Sequence, residues 1–145
     1  MIEVRAQPHF YNGMSTREID EITLRAIVDL IDVESNPGIG HVNYQYVAGK
    51  QRLSMLRKDV FGSYEVPHLY DIVKNNVECG VYTPELLDWY TQDDWNRMND
   101  LMDHHKDEQY SYAAIEQLID KYLIRNRATG KLYETPQIQI GRAHV

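Results

Sequence analysis

The sequence predicts a mainly α-helical protein of about six helices, with a small β-hairpin near its C-terminus. Three kinds of observation support this fold class. Hydroxyl residues stand where helices begin, apolar residues recur every three or four positions, and glycine or proline separates one apolar run from the next. With 145 residues, of which 43% are hydrophobic, the chain is expected to form one modest core.

The first strong helix begins at Ser15 or Thr16. Residues 15–18 have the spacing of a capping box, in which Ser15 accepts from the first turn and Glu18 reaches back to the Ser15 amide. The helical spacing of the apolar residues that follow extends this helix to about Asp32. The Asn-Pro-Gly-Ile-Gly run at 36–40 then predicts a loop, because proline cannot continue a helix.

The second helix is predicted over residues 43–61, with Gly62 as its C-terminal cap. Four cations give this helix a basic side within an acidic chain: Lys50, Arg52, Arg57 and Lys58. Four more helices follow. They begin near Pro67, Thr83, Thr91 and Ser111, the third one closing at Gly80 and the sixth at Lys121. Residues 122–125 and 131–134 flank a glycine-containing turn, which predicts the hairpin.

Charge and composition exclude several functions. The net charge of -7 argues against nucleic acid as a partner, since proteins that bind phosphate backbones concentrate Lys and Arg. We expect no membrane association and a cytoplasmic location, because no apolar run suits a membrane span or a signal peptide. Cys79 is the only cysteine, so an internal disulfide or a cysteine-rich metal site is impossible.

The Asp103-His104-His105 run invites a metal interpretation, but adjacent helical side chains point about 100° apart and cannot easily hold one ion. We therefore predict no metal site, and we expect His105 to be partly buried on one face with Trp95, Met98 and Met102. The sequence contains no recognisable catalytic motif. Residue chemistry alone gives no catalytic residues.

A resemblance to a known family adds to this picture. The run at 10–19, Phe-Tyr-Asn-Gly-Met-Ser-Thr-Arg-Glu-Ile, resembles the entry of the ATP cone in class I ribonucleotide reductase large chains. Residues 44–58 resemble the last helix of that cone. Segments from 80–87 to 133–137 resemble the helical region leading into the catalytic barrel, and details such as Tyr-Glu-Thr-Pro-Gln look phage-like.

The resemblance implies three parts: the end of an ATP cone at 1–62, the start of the large-chain helical domain at 63–139, and a non-native tail at 140–145. It implies that Thr16 and Lys58 touch a nucleotide, with ATP or dATP as the effector of the parent enzyme. A plain N-cap and a solvated lysine are the structural alternative for these two residues. The first cone helix of the family often has a histidine at the position of Asp20. The Asp20 carboxylate would repel a phosphate, so we expect the affinity for ATP to be weak.

In the family, the catalytic residues lie beyond the part that this sequence resembles, so none is assigned here and no cofactor is expected in this piece. The parent would be an oxidoreductase reducing ribonucleoside diphosphates for DNA synthesis, with a radical-generating small subunit as partner. We expect residues 140–145 to be a read-through of sequencing adapter, because Ile-Gly-Arg-Ala-His-Val can be encoded by a common adapter sequence. The tail is also polar where the family continues with an apolar helix. The alternative function is a stand-alone helical interaction module, or one half of a naturally split reductase.

Overall fold

The computed structural model describes residues 2–142, with the side chain of Val4 left out of the description. Helices and turns make up this part of the chain. The α-helices are α1 (Ile2–Ala6), α2 (Thr16–Asp29), α3 (Tyr44–Phe61), α4 (Leu69–Glu78), α5 (Glu85–Asp88), α6 (Gln92–Leu101), α7 (Tyr112–Lys121) and α8 (Pro136–Arg142). Two 3₁₀-helices lie at Gln7–His9 and His104–Gln109.

The predicted start of α2 and the predicted end of α3 are confirmed, whereas α2 ends at Asp29 and not near Asp32. Ser15 Oγ accepts from the Glu18 amide at 3.3 Å, and Glu18 Oε2 accepts from the Ser15 amide at 2.8 Å, which is the predicted capping box. At the end of α3, Gly62 adopts φ +78° and its amide donates to the Lys58 carbonyl. A left-handed residue of this kind ends a helix at little cost only when it is glycine.

The later helices also begin close to the predicted residues. Thr91 and Asp94 form a second capping box at the start of α6, and Ser111 caps α7. The start of α4 differs, because His68 Nδ1 accepts from the Tyr70 amide at 3.2 Å and caps the helix there. α4 therefore begins two residues after Pro67.

α3 lies at the centre of the packing, against α2, α7 and the 3₁₀-helix at His104–Gln109. The core contains Leu53 and Leu56 from α3, joined by Ile115, Ile119, Leu123 and Leu132. At Gly49, α3 lies very close to the backbone of Tyr110, just before α7. A Cβ atom added there would lie 2.2 Å from the Tyr110 carbonyl oxygen, so only glycine allows this contact.

A second group of apolar side chains lies where α4 packs on α6. Trp95 is buried there, with Tyr70 and Tyr90 edge-on to its ring at centroid distances of 6.0 and 5.4 Å. Ile138 of α8 is also buried. Within residues 2–142, each helix is too short or too polar to cross a membrane.

The predicted β-hairpin is wrong. Residues 122–134 fold back on themselves, but the described residues 2–142 contain no strand, and only an isolated bridge joins Arg125 to Leu132. The predicted turn does form. The Gly130 amide donates to the Asn126 carbonyl at 2.8 Å, and glycine is needed at this position because its φ is +73°.

The backbone pairing between the two arms stops at Ile124, because the Glu134 side chain accepts the hydrogen bond that the opposite backbone would accept in a strand. The Ile124 amide donates to Glu134 Oε2 at 3.2 Å. Two residues further on, Pro136 begins α8, so the second arm cannot continue as a strand. The sequence suggested a polar, abrupt tail after Pro136, but the helix continues to Arg142. That residues 140–145 are non-native stays a prediction. Residues 143–145 lie outside the described residues.

Candidate functional site

The start of α2, where Thr16 was predicted to meet a nucleotide, already carries a carboxylate. Glu18 Oε2 accepts from both the amide and the hydroxyl of Ser15, at 2.8 and 2.7 Å, and Tyr11 donates to Glu18 Oε1 at 2.9 Å. The hydrogen bonds from Ser15, followed by the one from Tyr11, lower the pKa of Glu18 and keep it charged. Its charge therefore faces the positive end of the helix beside exposed Thr16.

Lys58 contacts α2 through an ion pair. Its Nζ lies 2.6 Å from Asp20 Oδ2, and Gln51 Nε2 donates to the other oxygen of Asp20 at 3.1 Å. Thr16 and Asp20 are four residues apart in α2 and so share one helix face. The structure thus brings Lys58 to the face that carries Thr16, with Asp20 as its partner.

The rest of the predicted basic side of α3 is also paired or buried. Arg52 bonds Glu116, and Lys50 lies 3.6 Å from Glu108. The fourth cation, Arg57, is 4% exposed. The basic side that the sequence suggested is therefore not an open cationic surface.

Thr16 and Lys58 are absent from the walls of the two cavities that lie along α2 in the described part of the chain. The two smaller cavities along α2 are lined by other residues, including Arg25 and Asp29. The surface between the ends of α2 and α3 is filled by a further exposed pair, Arg17 to Asp59 at 3.2 Å. Lys58 therefore contacts the face of α2 that carries Thr16, and that face is an ion-paired surface.

Arg57, which the sequence assigns to the basic side of α3, is buried. Its Nη2 donates to the His104 carbonyl at 2.6 Å, and its guanidinium lies 4.8 Å from the centre of the Tyr64 ring. The hydrogen bond joins α3 to the 3₁₀-helix at His104–Gln109, and the ring contact joins α3 to the loop that follows it. The predicted burial of His105 is wrong, because its side chain is 90% exposed. His104 is half-buried instead, and burial followed by the Arg57 charge lowers its pKa.

Asp107 is a second buried charge at this junction, with 1% exposure. Neither of its carboxylate oxygens has a close hydrogen-bond partner in the described part of the chain. Burial raises the pKa of Asp107 to about 6, and the amide groups of Gln137 and the charge of Arg57 offset only part of that effect. The Asp107 carboxyl therefore titrates close to neutral pH.

Glu134 is fully buried and well satisfied. Its carboxylate accepts from Tyr82 Oη at 2.5 Å, Arg142 Nε at 2.7 Å and the Ile124 amide at 3.2 Å. Burial and this carboxylate raise the pKa of Tyr82. The buried role of Glu134 was not predicted, although Thr135-Pro136 repeats the Thr-Pro helix start at residues 83 and 84.

An apolar cavity of about 410 Å³ lies between α4, α5, α6 and α8. Trp89 and Leu101 stand at its edge, 63% and 83% exposed. Trp95 forms part of its wall, and the buried Nε1 of that ring has no hydrogen-bond partner among the described residues. Gly141 of α8 also lines the cavity, with no atom nearer than 3.9 Å to an added Cβ.

These features define a helical module that has an ion-paired surface between its two longest helices and an open apolar cavity elsewhere.

No family model matches the chain. Curated relatives do. The sequence is 40% identical over 136 residues to the ribonucleoside-diphosphate reductase subunit alpha of Haemophilus influenzae, and equally to the reductase 1 subunit alpha of Escherichia coli K12. These matches cover 94% of this chain and 17% of each relative.

A phage protein is among the relatives, as the sequence predicted. The alpha subunit of Enterobacteria phage T4 is 36% identical over 126 residues, covering 87% of this chain and 16% of that protein. The chain is a homologue of the amino-terminal part of ribonucleoside-diphosphate reductase alpha subunits. It spans about one sixth of the length of the relatives that it matches.

Proposed function

We propose that this chain serves as the amino-terminal regulatory and helical part of a ribonucleoside-diphosphate reductase alpha subunit. The observation that supports this is the 40% identity over 136 residues to alpha subunits named for that activity. The complete enzyme reduces ribonucleoside diphosphates to deoxyribonucleotides. The remaining alpha polypeptide supplies the reaction centre, and a small subunit supplies the radical.

Within this proposal, residues 1–62 are the end of an ATP cone and residues 63–139 begin the helical domain of the large chain. The junction falls at Gly62, where α3 ends. A cytoplasmic location follows from the same assignment. Any nucleotide effector acts on the cone by favouring one assembly of the enzyme over another.

We further propose that Thr16 and Lys58 form the effector-facing surface, and that this surface binds ATP or dATP weakly. Two features support weak binding. Asp20 lies 2.6 Å from the Lys58 ammonium, where a phosphate would have to lie, and the charged Glu18 occupies the start of α2. A phosphate must displace one carboxylate and tolerate the other, and both repel it.

The assignment is tested with a chimera in which residues 1–139 replace the homologous segment of the E. coli K12 reductase 1 alpha subunit. Mixed with the E. coli small subunit, the chimera is expected to form deoxyribonucleotides. The control is the same alpha subunit lacking the segment. A folded chimera that is no more active than this control would contradict the proposed function.

The open apolar cavity also suits the alternative of a stand-alone interaction module, since exposed apolar surface of this kind marks binding sites for other polypeptides. The discriminating result is the behaviour of the 145-residue chain itself. A sharp melting transition of a monomer, together with an inactive chimera, would favour the stand-alone module.

A further inference from the structure

Three polar side chains lie where α3 meets the 3₁₀-helix at His104–Gln109, and each has a buried atom without a hydrogen-bond partner in the described part of the chain. These atoms are Arg57 Nε, His104 Nδ1 and both carboxylate oxygens of Asp107. Arg57 is 4% exposed and Asp107 is 1% exposed. Buried polar atoms are normally hydrogen-bonded, so a group of unpaired ones calls for an explanation. This group contains both an N–H donor and acceptor oxygens.

The geometry of the 3₁₀-helix directs two of these side chains to the same side. Residues three apart in a 3₁₀-helix are eclipsed, and His104 and Asp107 turn inward while residues 105 and 106 are exposed. Arg57 Nη2 donates to the His104 carbonyl at 2.6 Å. Because three residues of a 3₁₀-helix rise about 6 Å, Asp107 lies within reach of the Arg57 side chain. The Arg57 charge already acts on the Asp107 carboxyl.

The observed arrangement suits a protonated Asp107. Burial raises the pKa of its carboxyl to about 6, and the charge of Asp103 acts in the same direction. Gln137 of α8 contributes amide groups and Arg57 of α3 contributes a cation, and both act against this rise in pKa. The imidazole of His104 is favoured in its neutral form, because burial and then the Arg57 charge lower its pKa. Arg57 is therefore the cation that an ionised Asp107 would meet.

An ionised Asp107 would compete for the Arg57 guanidinium. A buried carboxylate without a partner is costly, whereas a guanidinium and a carboxylate form a charge-assisted pair through parallel N–H donors. Arg57 now makes weaker contacts, which are one hydrogen bond to a neutral carbonyl and the Tyr64 ring 4.8 Å from its guanidinium. Its unpaired Nε is a donor that a carboxylate would engage.

We propose that Arg57 and Asp107 form a proton-controlled latch between α3 and the 3₁₀-helix. While Asp107 is protonated, the Arg57 guanidinium keeps its contacts with the His104 carbonyl and the Tyr64 ring. When the Asp107 carboxyl releases its proton to solvent, the guanidinium leaves both contacts and pairs with the carboxylate. The attachment of α3 to the 3₁₀-helix then moves from residue 104 to residue 107.

The latch lies next to the proposed effector-facing surface. Lys58 follows Arg57 in the last turn of α3 and contacts Asp20 of α2, so a change at Arg57 acts on the helix turn that holds Lys58. This consequence rests on the proposed function. The latch itself does not, because it uses only contacts within this chain.

The test is an NMR titration of the 145-residue chain between about pH 4 and pH 8, a range that spans the ionisation of carboxyl and imidazole groups. It follows the Asp107 side-chain carbon, the Arg57 Nε–H and the nuclear Overhauser effects between the Arg57 side chain and the Tyr64 ring. We expect the Asp107 and Arg57 signals to change with one midpoint near 6. The Overhauser effects should fall several-fold above that midpoint.

Asp107→Asn keeps the shape of the protonated side chain and should preserve the Arg57–Tyr64 contact at every pH. It also retains His105 and Glu108, which lie near the Tyr64 hydroxyl, so any change of Tyr64 that persists in this variant belongs to those groups. The matched control is Asp100→Asn, at an exposed residue of α6, which should titrate as wild type does.

Two results would overturn the latch. One is ionisation of Asp107 while the Arg57 Nε–H and the Arg57–Tyr64 Overhauser effects stay constant. The other is a loss of those effects that persists in Asp107→Asn, which would assign the change to a different group. Either result leaves the proposed function standing, since the chimera tests that function separately.

Discussion

The Lys58 ammonium nitrogen, in the last turn of α3, lies 2.6 Å from the Asp20 carboxylate on α2. The Lys58 side chain is 42% exposed, and pairs this exposed contribute about 1 kcal/mol or less to stability. The pair therefore matters more for binding than for folding. Asp20 already neutralises Lys58, the cation that the family resemblance assigns to a nucleotide. A bound anion can therefore contact the Lys58 ammonium only if the ion pair with Asp20 opens.

Gly49 should be intolerant of substitution. In Gly49→Ala the added methyl group would lie 2.2 Å from the Tyr110 carbonyl oxygen and force α3 away from the chain before α7. We expect a loss of roughly 1–3 kcal/mol in the free energy of unfolding, the usual cost of overpacking, despite alanine's better helix propensity. Urea denaturation measures this directly.

Gly141→Ala is the matched control, because both glycines lie in helices and only one is in a tight contact. An added Cβ at Gly141 meets no atom closer than 3.9 Å. We expect no loss of stability, because Gly141 lies next to the last residue of α8 with space around it. Equal destabilisation by both substitutions would show that α3 does not approach Tyr110 as described.

Removing the buried carboxylate in Glu134→Ala should cost roughly 2–4 kcal/mol, because Tyr82, Arg142 and the Ile124 amide all lose their acceptor. Glu21→Ala removes an exposed partner of Arg17 and should cost less than about 1 kcal/mol. Thermal unfolding at one pH compares the two variants. Similar losses would mean that Glu134 is not the buried link between α8 and residues 122–125.

Asp107 should make stability fall as pH rises. Its pKa is about 6 in the folded chain against 3.8 for the free group, so between these values the folded state holds a proton that the unfolded state has lost. At about 1.4 kcal/mol per pKa unit, the loss on raising pH from 4 to 7 is at most about 3 kcal/mol. Asp107→Asn should remove this dependence in urea denaturation at several pH values.

His104 acts in the opposite direction over part of the same range. Its pKa is lowered from 6.5, so the unfolded state takes up the proton first and the stability contributed by His104 is lost as pH falls below that value. Wild type should therefore show both effects, and Asp107→Asn only the one from His104. A variant whose pH dependence matches wild type would contradict the assigned pKa of Asp107.

Much of the fold could be predicted because local chemistry sets it. Ser15, Gly62 and Thr91 act through hydrogen bonds and backbone angles within a few residues of themselves, and all three end or begin helices as expected. The hairpin failed because its outcome depends on a distant partner. Glu134 takes the Ile124 amide only because Tyr82 and Arg142 hold that carboxylate in place.

The surroundings of Lys58 were harder to predict, because they too depend on partners that are distant in the sequence. Composition indicates that α3 has a basic side, but not that Arg57 enters the core while Lys58 meets Asp20. The sequence did indicate that Asp20 opposes phosphate binding. The structure adds the contact through which it would do so.

The most direct test of the account is a calorimetric titration of the chain with ATP, repeated for Asp20→Asn and for the double variant Asp20→Asn with Lys58→Ala. We expect weak or undetectable binding by wild type, tighter binding by Asp20→Asn because Lys58 becomes available, and loss of that gain in the double variant. Micromolar binding by wild type that Lys58→Ala leaves unchanged, or no gain on removing the Asp20 charge, would contradict the account.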